Sequence, residues 1–298
     1  MYELDKCSLC PRNCKVNRNN DELGFCKEGN KLKVARYSLH MWEEPIISGT
    51  SGSGTIFFSG CNLNCIYCQN HEISHKHKGK EISIEEFKDI CLKLQESGAN
   101  NINIVTGTHF ISLIRNGLLL TKKNGLTIPV VYNTSGYEKV ESLKLLEGLV
   151  DIYLPDLKYY DDSLAKKYSN CNDYFKYTSS AIEEMIRQVG KPVIKNGLMK
   201  KGVIVRHLLL PGHLDDSKKV IEYLSMFKDT IYVSIMNQYT PVIKLKYENL
   251  NNKVTDEEYN ELVDYAYDLG IRKAFIQEGD TVKESFIPDF DVFEDLNH

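Results

Sequence analysis

Several features that would direct the chain to a membrane, to export or to nucleic acid are absent. The 298 residues contain no window of about 18 apolar residues, so the sequence predicts no transmembrane helix. The first residues show no basic stretch followed by an apolar one, so we predict no signal peptide and expect a cytoplasmic protein. A net charge of −4 makes tight nonspecific binding to nucleic acid unlikely, because such binding depends on a basic surface.

Cysteine, by contrast, is present in a number and pattern that disulfides explain poorly. A secreted domain held by disulfides is usually far shorter than this chain, and cytosolic cysteines at such spacings more often bind metal. The nine cysteines form an N-terminal group, a central group and two isolated thiols of helical segments: Cys7, Cys10, Cys14 and Cys26; Cys61, Cys65 and Cys68; Cys91 and Cys171.

The central and C-terminal parts of the chain alternate between strand-like and helix-like patterns. This alternation predicts right-handed βαβ units around a parallel sheet, and hence an α/β fold that is a partial (β/α) TIM-like barrel. Seven strands are predicted, one short of a closed eight-stranded barrel, at 55–59, 101–106, 128–134, 149–157, 202–212, 230–236 and 272–278. Helices are predicted at 83–98, 109–120, 137–147 and 179–189, and a further one begins at Thr255; capping boxes pair Ser83 with Glu86 and Thr255 with Glu258.

A small N-terminal module is predicted to precede the barrel. Residues 1–50 are polar and irregular, and the Gly/Ser-rich stretch at 48–54 looks like a hinge, so we divide the chain into 1–50 and 51–298. A segment this short builds little hydrophobic core, and a metal held by Cys7, Cys10, Cys14 and Cys26 would supply the missing stability. The spacing does not decide between zinc and a second iron–sulfur cluster for electron relay.

Each predicted strand delivers polar side chains at its C-terminal end, which is the active-site face of barrel enzymes. The alternative is that strand ends are polar because loops are polar, and that the charged residues pair with one another inside the barrel. In chain order these side chains are Cys61, Cys65 and Cys68; Thr106, Thr108 and His109; Asn133, Thr134 and Ser135; Asp156 and Lys158; Arg206 and His207; Asn237, Gln238 and Tyr239; Gln277 and Glu278.

The three central cysteines are spaced to bind an incomplete metal centre. C-x-x-x-C-x-x-C directly after a strand can hold three corners of a cubane iron–sulfur cluster, which leaves the fourth iron without a protein ligand. An open position on a metal centre is typical of a catalytic site rather than of a structural one. The alternatives are three buried thiols, or a zinc site completed by His71, His75 or His77.

The segment "CNLNCIYCQN", which includes Tyr67, resembles the signature of the radical S-adenosylmethionine (radical SAM) superfamily. Further segments, among them "CSLCPRNCKVNR", "HMWEEPIISG", "VVYNTSGYEKVESLKLLEG", "DIYLPDLKY" and "GVIVRHLLLPGH", resemble proteins described as pyruvate formate-lyase activating enzyme-like. This resemblance extends over nearly the whole chain. The cysteine signature is highly specific for the chemistry, whereas the activating-enzyme likeness is much less specific for the substrate.

The resemblance implies a [4Fe–4S] cluster on Cys61, Cys65 and Cys68, with S-adenosylmethionine chelating the open iron. One electron, from a donor such as flavodoxin or ferredoxin, would cleave the cofactor to methionine and a 5′-deoxyadenosyl radical, which abstracts hydrogen from the substrate. Relatives carry a Gly-Gly-Glu-type segment that holds the methionine amino group where this chain has "VTGTH", so Thr106, Thr108, backbone carbonyls or His109 would replace its acidic residue. The other implied cofactor contacts are Tyr67, Asn133, Ser135, Lys158 and Arg206, and the implied catalytic residues are Lys158, Arg206 and His207.

The resemblance favours hydrogen abstraction from a protein or peptide backbone, as in glycyl-radical activation. A second hypothesis keeps the cofactor chemistry but changes the substrate to a small metabolite, a nucleic acid or a ribosomal peptide. A third, from another class, is a noncatalytic iron–sulfur or zinc protein that acts as a scaffold or sensor.

Overall fold

A single mixed sheet of eleven strands organises the computed structural model, which describes residues 4–241, 244–276 and 288–296. The strands are β1 (Leu32–His40), β2 (Ser53–Phe58), β3 (Lys80–Ile82), β4 (Ile102–Val105), β5 (Val130–Thr134), β6 (Ile152–Pro155), β7 (Val193–Lys195), β8 (Leu198–Leu208), β9 (Tyr232–Met236), β10 (Ala274–Ile276) and β11 (Glu294–Asp295). Seven of them, β2, β4, β5, β6, β8, β9 and β10, are neighbours in that order and are parallel throughout.

The sheet does not close into a full barrel. Within the described residues β10 forms one edge, and the other side is extended by β1, antiparallel to β2, and by β11, parallel to β1. Two short strands, β3 and β7, pair antiparallel with β1 and β8. The prediction of an α/β fold with a partial barrel is confirmed.

Nine α-helices occur in the described part of the chain: α1 (Pro45–Ser48), α2 (His71–Ser74), α3 (Ile84–Glu96), α4 (Ile111–Lys123), α5 (Val140–Leu143), α6 (Asp162–Ser169), α7 (Tyr174–Val189), α8 (Leu214–Ser225) and α9 (Asp256–Asp268). Both predicted capping boxes are present, at the starts of α3 and α9. The helix predicted at 137–147 is shorter: a turn at Gly136 with a φ of +79° precedes it, α5 begins at Val140, and the chain continues in a 3-10 turn over Lys144–Leu146. Helices α6 and α8 were not predicted from the sequence. None of the described helices is long and apolar enough to span a membrane.

The prediction that residues 1–50 are irregular is wrong for β1. This nine-residue strand pairs along β2, and its charged Arg36 is buried because Asp295 accepts a hydrogen bond from its guanidinium at 2.5 Å. The Gly/Ser-rich stretch is not a linker either: Ser53 and Gly54 begin β2, and a Cβ at Gly54 would lie 2.9 Å from that of Ala99. The predicted boundary at residue 50 therefore falls between two paired strands.

The cysteine-rich segment that precedes β1 lies against the ends of β4 and β5. From Leu4 onward, where the structure describes it, the segment contains only two short 3-10 turns, Leu4–Lys6 and Arg18–Asn20, and it packs Leu9 into the main hydrophobic core. Arg18 donates to the carbonyl of His109 at 2.6 Å, and the hydroxyl of Ser142 donates to the carbonyl of Leu9 at 2.7 Å. The segment is thus held by the barrel rather than by secondary structure of its own.

Candidate functional site

A cleft of about 270 Å³ opens at the C-terminal ends of the parallel strands. Residues at the ends of β2, β4, β5, β6, β8 and β9 contribute to its wall, as expected for the functional face of a barrel. The lining residues used below are Trp42, Glu43, Phe57, Cys61, Cys65, Tyr67, Cys68, Val105, Thr106, Asn133, Ser135, Asp156, Lys158, Arg206, Leu208, Met236 and Gln238.

All three central cysteines reach this cleft from the loop that follows β2. The backbone N–H of Leu63 donates to Cys61 Sγ at 3.3 Å, and Cys65 Sγ lies 2.9 Å from Ser169 Oγ. Cys68 Sγ lies 3.3 Å from Ser74 Oγ. The loop therefore holds each sulfur in place with a polar neighbour while leaving it on the cleft wall.

The arrangement of these thiols differs from that of a single-ion site. Among the residues that the structure describes, no three Cys, His, Asp or Glu side chains converge on one point as ligands of one ion do. His71, His75 and His77, considered as a fourth zinc ligand, do not line the cleft; His75 contacts Ser74 and His77 contacts Glu28 instead. Thiolates that bind a cubane each take a different iron, so they need not converge.

Burial raises the pKa of all three thiols above the ordinary value, that of Cys65 to about 11. The positive charge of Lys158 opposes this shift at each of them. Without a bound metal the three groups would be neutral thiols at neutral pH. Metal binding requires the thiolate and so offsets the desolvation cost of these buried sulfurs.

A network of charged side chains lies beside the cysteines. Asp156 accepts from Lys158 Nζ at 2.6 Å and from Arg206 Nε at 2.9 Å, and Arg206 Nη1 lies 3.3 Å from Glu43 Oε2. Burial opposes ionisation of Asp156, but Arg206 and Lys158 together hold its pKa below the ordinary value. Burial raises the pKa of Glu43 even though Arg206 acts against that shift. The cleft therefore presents two cations, one firmly ionised carboxylate and a second carboxyl group of weakened acidity.

Several predicted cofactor contacts are brought together here. Asn133 donates to Glu43 at 3.2 Å and accepts from Arg206 Nη2 at 2.6 Å, which places its amide among the charges. Ser135 and Thr106 lie on the same wall, and Thr106 adopts a left-handed conformation with a φ of +59°. Tyr67 is buried, with its hydroxyl 2.6 Å from that of Tyr159. The predicted ion pairing of Lys158 and Arg206 with Asp156 is also present, so both cations are paired and yet face the cleft.

Three predicted site residues, Thr108, His109 and His207, are not brought to the cleft. Thr108 is buried after the left-handed turn at Thr106 and donates to Glu138 Oε1 at 2.6 Å. His207 is buried between Arg206 and Leu208, which do line the cleft, because successive side chains of a strand point to opposite faces. Its Nδ1 donates to the carbonyl of Leu157 at 2.7 Å, and burial lowers its pKa to about 4.

The loop between β1 and α1 also contributes to the cleft, which the sequence patterns did not indicate. Glu43 and Trp42 come from this loop, in the region predicted to be a separate module, and both line the cleft. The signal in the sequence was two adjacent acidic residues, Glu43 and Glu44, directly before a proline and an apolar run. Of the later strand ends Gln238 lines the cleft, whereas Gln277 and Glu278 lie outside the described residues.

The four N-terminal cysteines surround a different, enclosed cavity, and His109 forms part of its wall. All nine cysteines of the chain are free thiols. Arg12, between Cys10 and Cys14, donates to the carbonyl of Asn62 at 2.8 Å, next to Cys61. The two cysteine groups thus occupy neighbouring but separate sites.

Comparison with known proteins identifies the family to which the central cysteine signature belongs. The model of the radical SAM superfamily matches residues 55–224. The chain is 34% identical over 277 residues to the uncharacterized protein MJ0674 of Methanocaldococcus jannaschii, which covers 87% of this chain and 74% of that protein. It is 25% identical over 215 residues to the pyruvate formate-lyase-activating enzyme of Clostridium pasteurianum, covering 69% of this chain and 83% of that enzyme.

Solved structures share the fold at low sequence identity. SuiB of Streptococcus suis, bound to the precursor peptide SuiA, matches with a TM-score of 0.53 and 15% identity over 74% of this chain and 47% of that chain. The [FeFe]-hydrogenase maturase HydG of Carboxydothermus hydrogenoformans matches with a TM-score of 0.52 and 15% identity over 79% of this chain and 55% of that chain. The chain spans about half the length of these two proteins.

Proposed function

The chain belongs to the radical SAM superfamily, and we propose that it cleaves S-adenosylmethionine reductively and abstracts a hydrogen atom from a protein or peptide. Membership of the superfamily implies a [4Fe–4S] cluster and S-adenosylmethionine. The observation that carries the proposal is the placement of Cys61, Cys65 and Cys68 on the wall of one cleft beside two partly buried cations.

The residues of the cleft suit both the [4Fe–4S] cluster and S-adenosylmethionine. Three thiols on one loop supply three ligands to a cubane and leave one iron open toward the cleft, where a further ligand can bind. Lys158 and Arg206 each donate to Asp156 and line the cleft beside the thiols. Their charges suit the carboxylate of a bound amino acid group, and the oxygens of Ser135 and Asn133 suit its amino group.

When bound, the cluster would supply the one electron for the reductive cleavage of S-adenosylmethionine. The protein's own part is to position and to exclude water. Asp156 and Glu43 orient Arg206, and the apolar side chains of Phe57, Val105, Leu208 and Met236 form walls that keep solvent from the reacting atoms. An electron donor such as flavodoxin or ferredoxin would reduce the cluster, and we expect this to occur in the cytoplasm.

A protein or peptide substrate is supported by the mouth of the cleft. Trp42, the chain's single tryptophan, lines the cleft with 61% of its surface exposed, and so offers an apolar surface to a chain that approaches from outside. The names of two relatives agree with this class of substrate, since one activates pyruvate formate-lyase and the other was solved with a precursor peptide. A noncatalytic scaffold would not need polar residues from several strand ends beside the cysteines.

The test of the cleavage reaction is anaerobic. The reconstituted and reduced protein is incubated with S-adenosylmethionine, and 5′-deoxyadenosine is measured by chromatography. We expect product from the parent and from Cys91→Ala, which removes an unrelated buried thiol of α3, and none from Cys61→Ala/Cys65→Ala/Cys68→Ala. The proposal is wrong if reduced protein with a full cluster makes no product and its EPR spectrum does not respond to the cofactor.

The substrate class is tested by isotope transfer. Peptides synthesised with deuterated glycine are added to the same reaction, and the mass of the 5′-deoxyadenosine is recorded. Deuterium in the product supports abstraction from a peptide backbone. Transfer from deuterated small metabolites and from none of the peptides would contradict this part of the proposal and leave the cleavage reaction standing.

A further inference from the structure

A buried carboxyl group lies behind the wall of the cleft, between two of the segments that line it. Glu138 follows β5 in the loop before α5 and is fully buried. Its Oε1 accepts hydrogen bonds from three hydroxyls, those of Thr108 at 2.6 Å, Thr134 at 2.5 Å and Tyr132 at 3.2 Å. Thr108 follows the end of β4 and Thr134 ends β5, so one oxygen atom joins the ends of two neighbouring strands.

Stability alone does not favour this arrangement. Burial disfavours the charge of the Glu138 carboxylate, and its second oxygen, Oε2, is buried without a hydrogen-bond partner in the part of the chain that the structure describes. A buried carboxyl group with one unsatisfied oxygen is often no more stabilising than an apolar side chain in its place. Such groups occur preferentially at functional sites, and the three hydroxyls indicate what this one does.

The segment after β4 is held partly by this carboxylate. The strand ends at Val105, and Thr106 then adopts its left-handed conformation with a φ of +59°, which a β-branched residue rarely takes. Thr106 lines the cleft, whereas the side chain of Thr108 points away from the cleft and donates to Glu138. Only Gly107 separates the two threonines, so the bond from Thr108 restrains the backbone that carries Thr106.

The loop that carries Glu138 also contacts the end of β5 and the central cysteine loop. Thr134, whose hydroxyl donates to Glu138, lines the cleft itself. The carbonyl of Tyr137, the residue before Glu138, accepts from Nδ2 of Asn62 at 2.6 Å, and Asn62 directly follows Cys61. Three parts of the cleft wall, which follow β2, β4 and β5 in the chain, therefore meet around this loop.

We propose that Glu138 is a positioning residue for the binding of S-adenosylmethionine, because it fixes the cleft-lining ends of β4 and β5 relative to one another. This inference rests on the proposed function, since the cofactor is the ligand that these segments would bind. Glu138 does not line the cleft, so it acts through Thr108 and Thr134 and not by contact with the cofactor. A wall that is already in place favours binding, because no free energy is then lost in ordering it.

Two of the three hydroxyl donors provide matched variants for a test. Thr108→Val and Tyr132→Phe each remove one hydroxyl that donates to Glu138, and neither side chain lines the cleft. Tyr132 is held within β5 by pairing with β4 on one side and β6 on the other, whereas Thr108 lies outside the strands. Only Thr108→Val should therefore loosen a segment of the cleft wall, and urea denaturation checks that both variants fold.

The affinity for the cofactor is measured without turnover. Each protein is reconstituted anaerobically to equal iron content, and binding of radiolabelled S-adenosylmethionine to the unreduced protein is followed by equilibrium dialysis. We expect Thr108→Val to weaken binding about tenfold and Tyr132→Phe to change it about twofold at most, because only the first bond supports the position of Thr106. Glu138→Gln keeps an acceptor oxygen for the hydroxyls and should bind within about twofold of wild type.

A second readout needs no cofactor. Hydrogen exchange followed by mass spectrometry should be faster in peptides covering residues 106–110 of Thr108→Val than in the same peptides of Tyr132→Phe. Equal affinity or equal exchange in these two variants would overturn the proposal. Weak binding by Glu138→Gln with unchanged exchange would also overturn it, since the charge and not the position of the wall would then matter.

Failure of this proposal is distinguishable from failure of the proposed function. If wild type binds the cofactor and the two hydroxyl variants bind it alike, only the positioning role of Glu138 is wrong. If wild type with a full cluster binds no S-adenosylmethionine, the proposed function is wrong and the positioning role falls with it.

Discussion

The two cysteine groups of this protein differ in what surrounds them. Cys61, Cys65 and Cys68 line an open cleft with Lys158 and Arg206 beside them. The four N-terminal cysteines line a small enclosed cavity that His109 helps to close. By the logic that separates catalytic from structural zinc, the open site has a position for a substrate or cofactor and the enclosed site does not.

The two groups therefore differ in the exposure of their sites and not only in their number of cysteines: one lines an open cleft and the other lines an enclosed cavity. The open group follows a strand of the parallel sheet, where neighbouring strand ends converge on the same face. The enclosed group lies on a segment with little secondary structure that is held against the barrel by single side chains such as Arg12 and Arg18. Three changes test this contrast.

The first change removes the shared partner of the two cations at the open site. Asp156→Asn leaves Lys158 and Arg206, which are partly buried, without their common carboxylate, which should lower the free energy of unfolding by about 2–3 kcal/mol. Urea denaturation under anaerobic conditions measures the loss. Glu261→Gln, which breaks the surface pair with Lys218, should cost at most about 1 kcal/mol. Equal effects of the two variants would show that the cleft charges are solvated like surface charges.

The second change concerns Glu138, which lies between the two sites. Its carboxylate accepts from Thr108, next to His109 of the enclosed cavity, and from Thr134 on the cleft wall. Burial raises its pKa from the ordinary 4.5 to about 7, although the hydrogen bonds from Thr108, Thr134 and Tyr132 oppose the shift. The folded state therefore keeps a proton that the unfolded state has released.

The contribution of Glu138 to stability should consequently fall by about 3 kcal/mol as the pH rises from about 4.5 to about 7, and it should be constant above that range. Buried histidines such as His207, whose pKa is lowered, act in the opposite direction over the same range, so the test is the difference between wild type and Glu138→Gln, which cannot ionise. Relative to wild type, Glu138→Gln should become more stable as the pH rises through this range, whereas Glu257→Gln, at an exposed position in the first turn of α9, should keep the pH dependence of wild type. A difference between wild type and Glu138→Gln that does not change with pH in this range would contradict the raised pKa.

The third change removes a contact between the N-terminal segment, which carries the enclosed site, and the cysteine loop of the open site. Arg12 donates to the carbonyls of Asn62 and Asn170 and packs its guanidinium 3.8 Å from the ring centre of Phe25. Arg12→Ala should therefore lower the free energy of unfolding by about 2 kcal/mol and speed hydrogen exchange in the N-terminal segment. Arg12→Lys should restore little, because an ammonium lacks the planar fork.

The control for this change is Arg272→Ala, which removes an exposed arginine stacked on Tyr267. It should leave exchange in the N-terminal segment unaffected. If Arg12→Ala behaves like this control, then the segment is held by its other contacts and the bridge through Arg12 is dispensable.

Much of the open site could be predicted because its residues follow strands. Asn133, Ser135, Lys158 and Arg206 each stand at the end of a recognisable strand, and parallel strands bring such positions to one edge. Thr108 and His207 also stand near strand ends, but their side chains are buried away from the cleft. The left-handed conformation of Thr106 redirects the chain before Thr108, and the alternation of side chains along β8 turns His207 to the opposite face from Arg206.

Other features depended on contacts that sequence spacing does not reveal. Glu43 contacts Arg206, which lies 163 positions away in the sequence, and Arg18 donates a hydrogen bond to the carbonyl of His109, 91 positions away. Strand β1 was missed because Lys33 and Arg36 interrupt its apolar pattern, and Arg36 is tolerated inside because Asp295 and the carbonyl of Asp289 accept hydrogen bonds from it. Long-range partners of this kind change which residues can be buried.

The sequence by itself determined the family of this protein, since the three cysteines of the signature lie within eight residues of one loop and local spacing suffices to recognise them. It also determined the alternating α/β architecture, because periodic apolar patterns and helix caps are local properties. Only the tertiary structure decided that the two cysteine groups occupy an open and an enclosed site. That difference depends on side chains such as His109 and Glu43, which reach their places through the folded sheet and not through their neighbours in the chain.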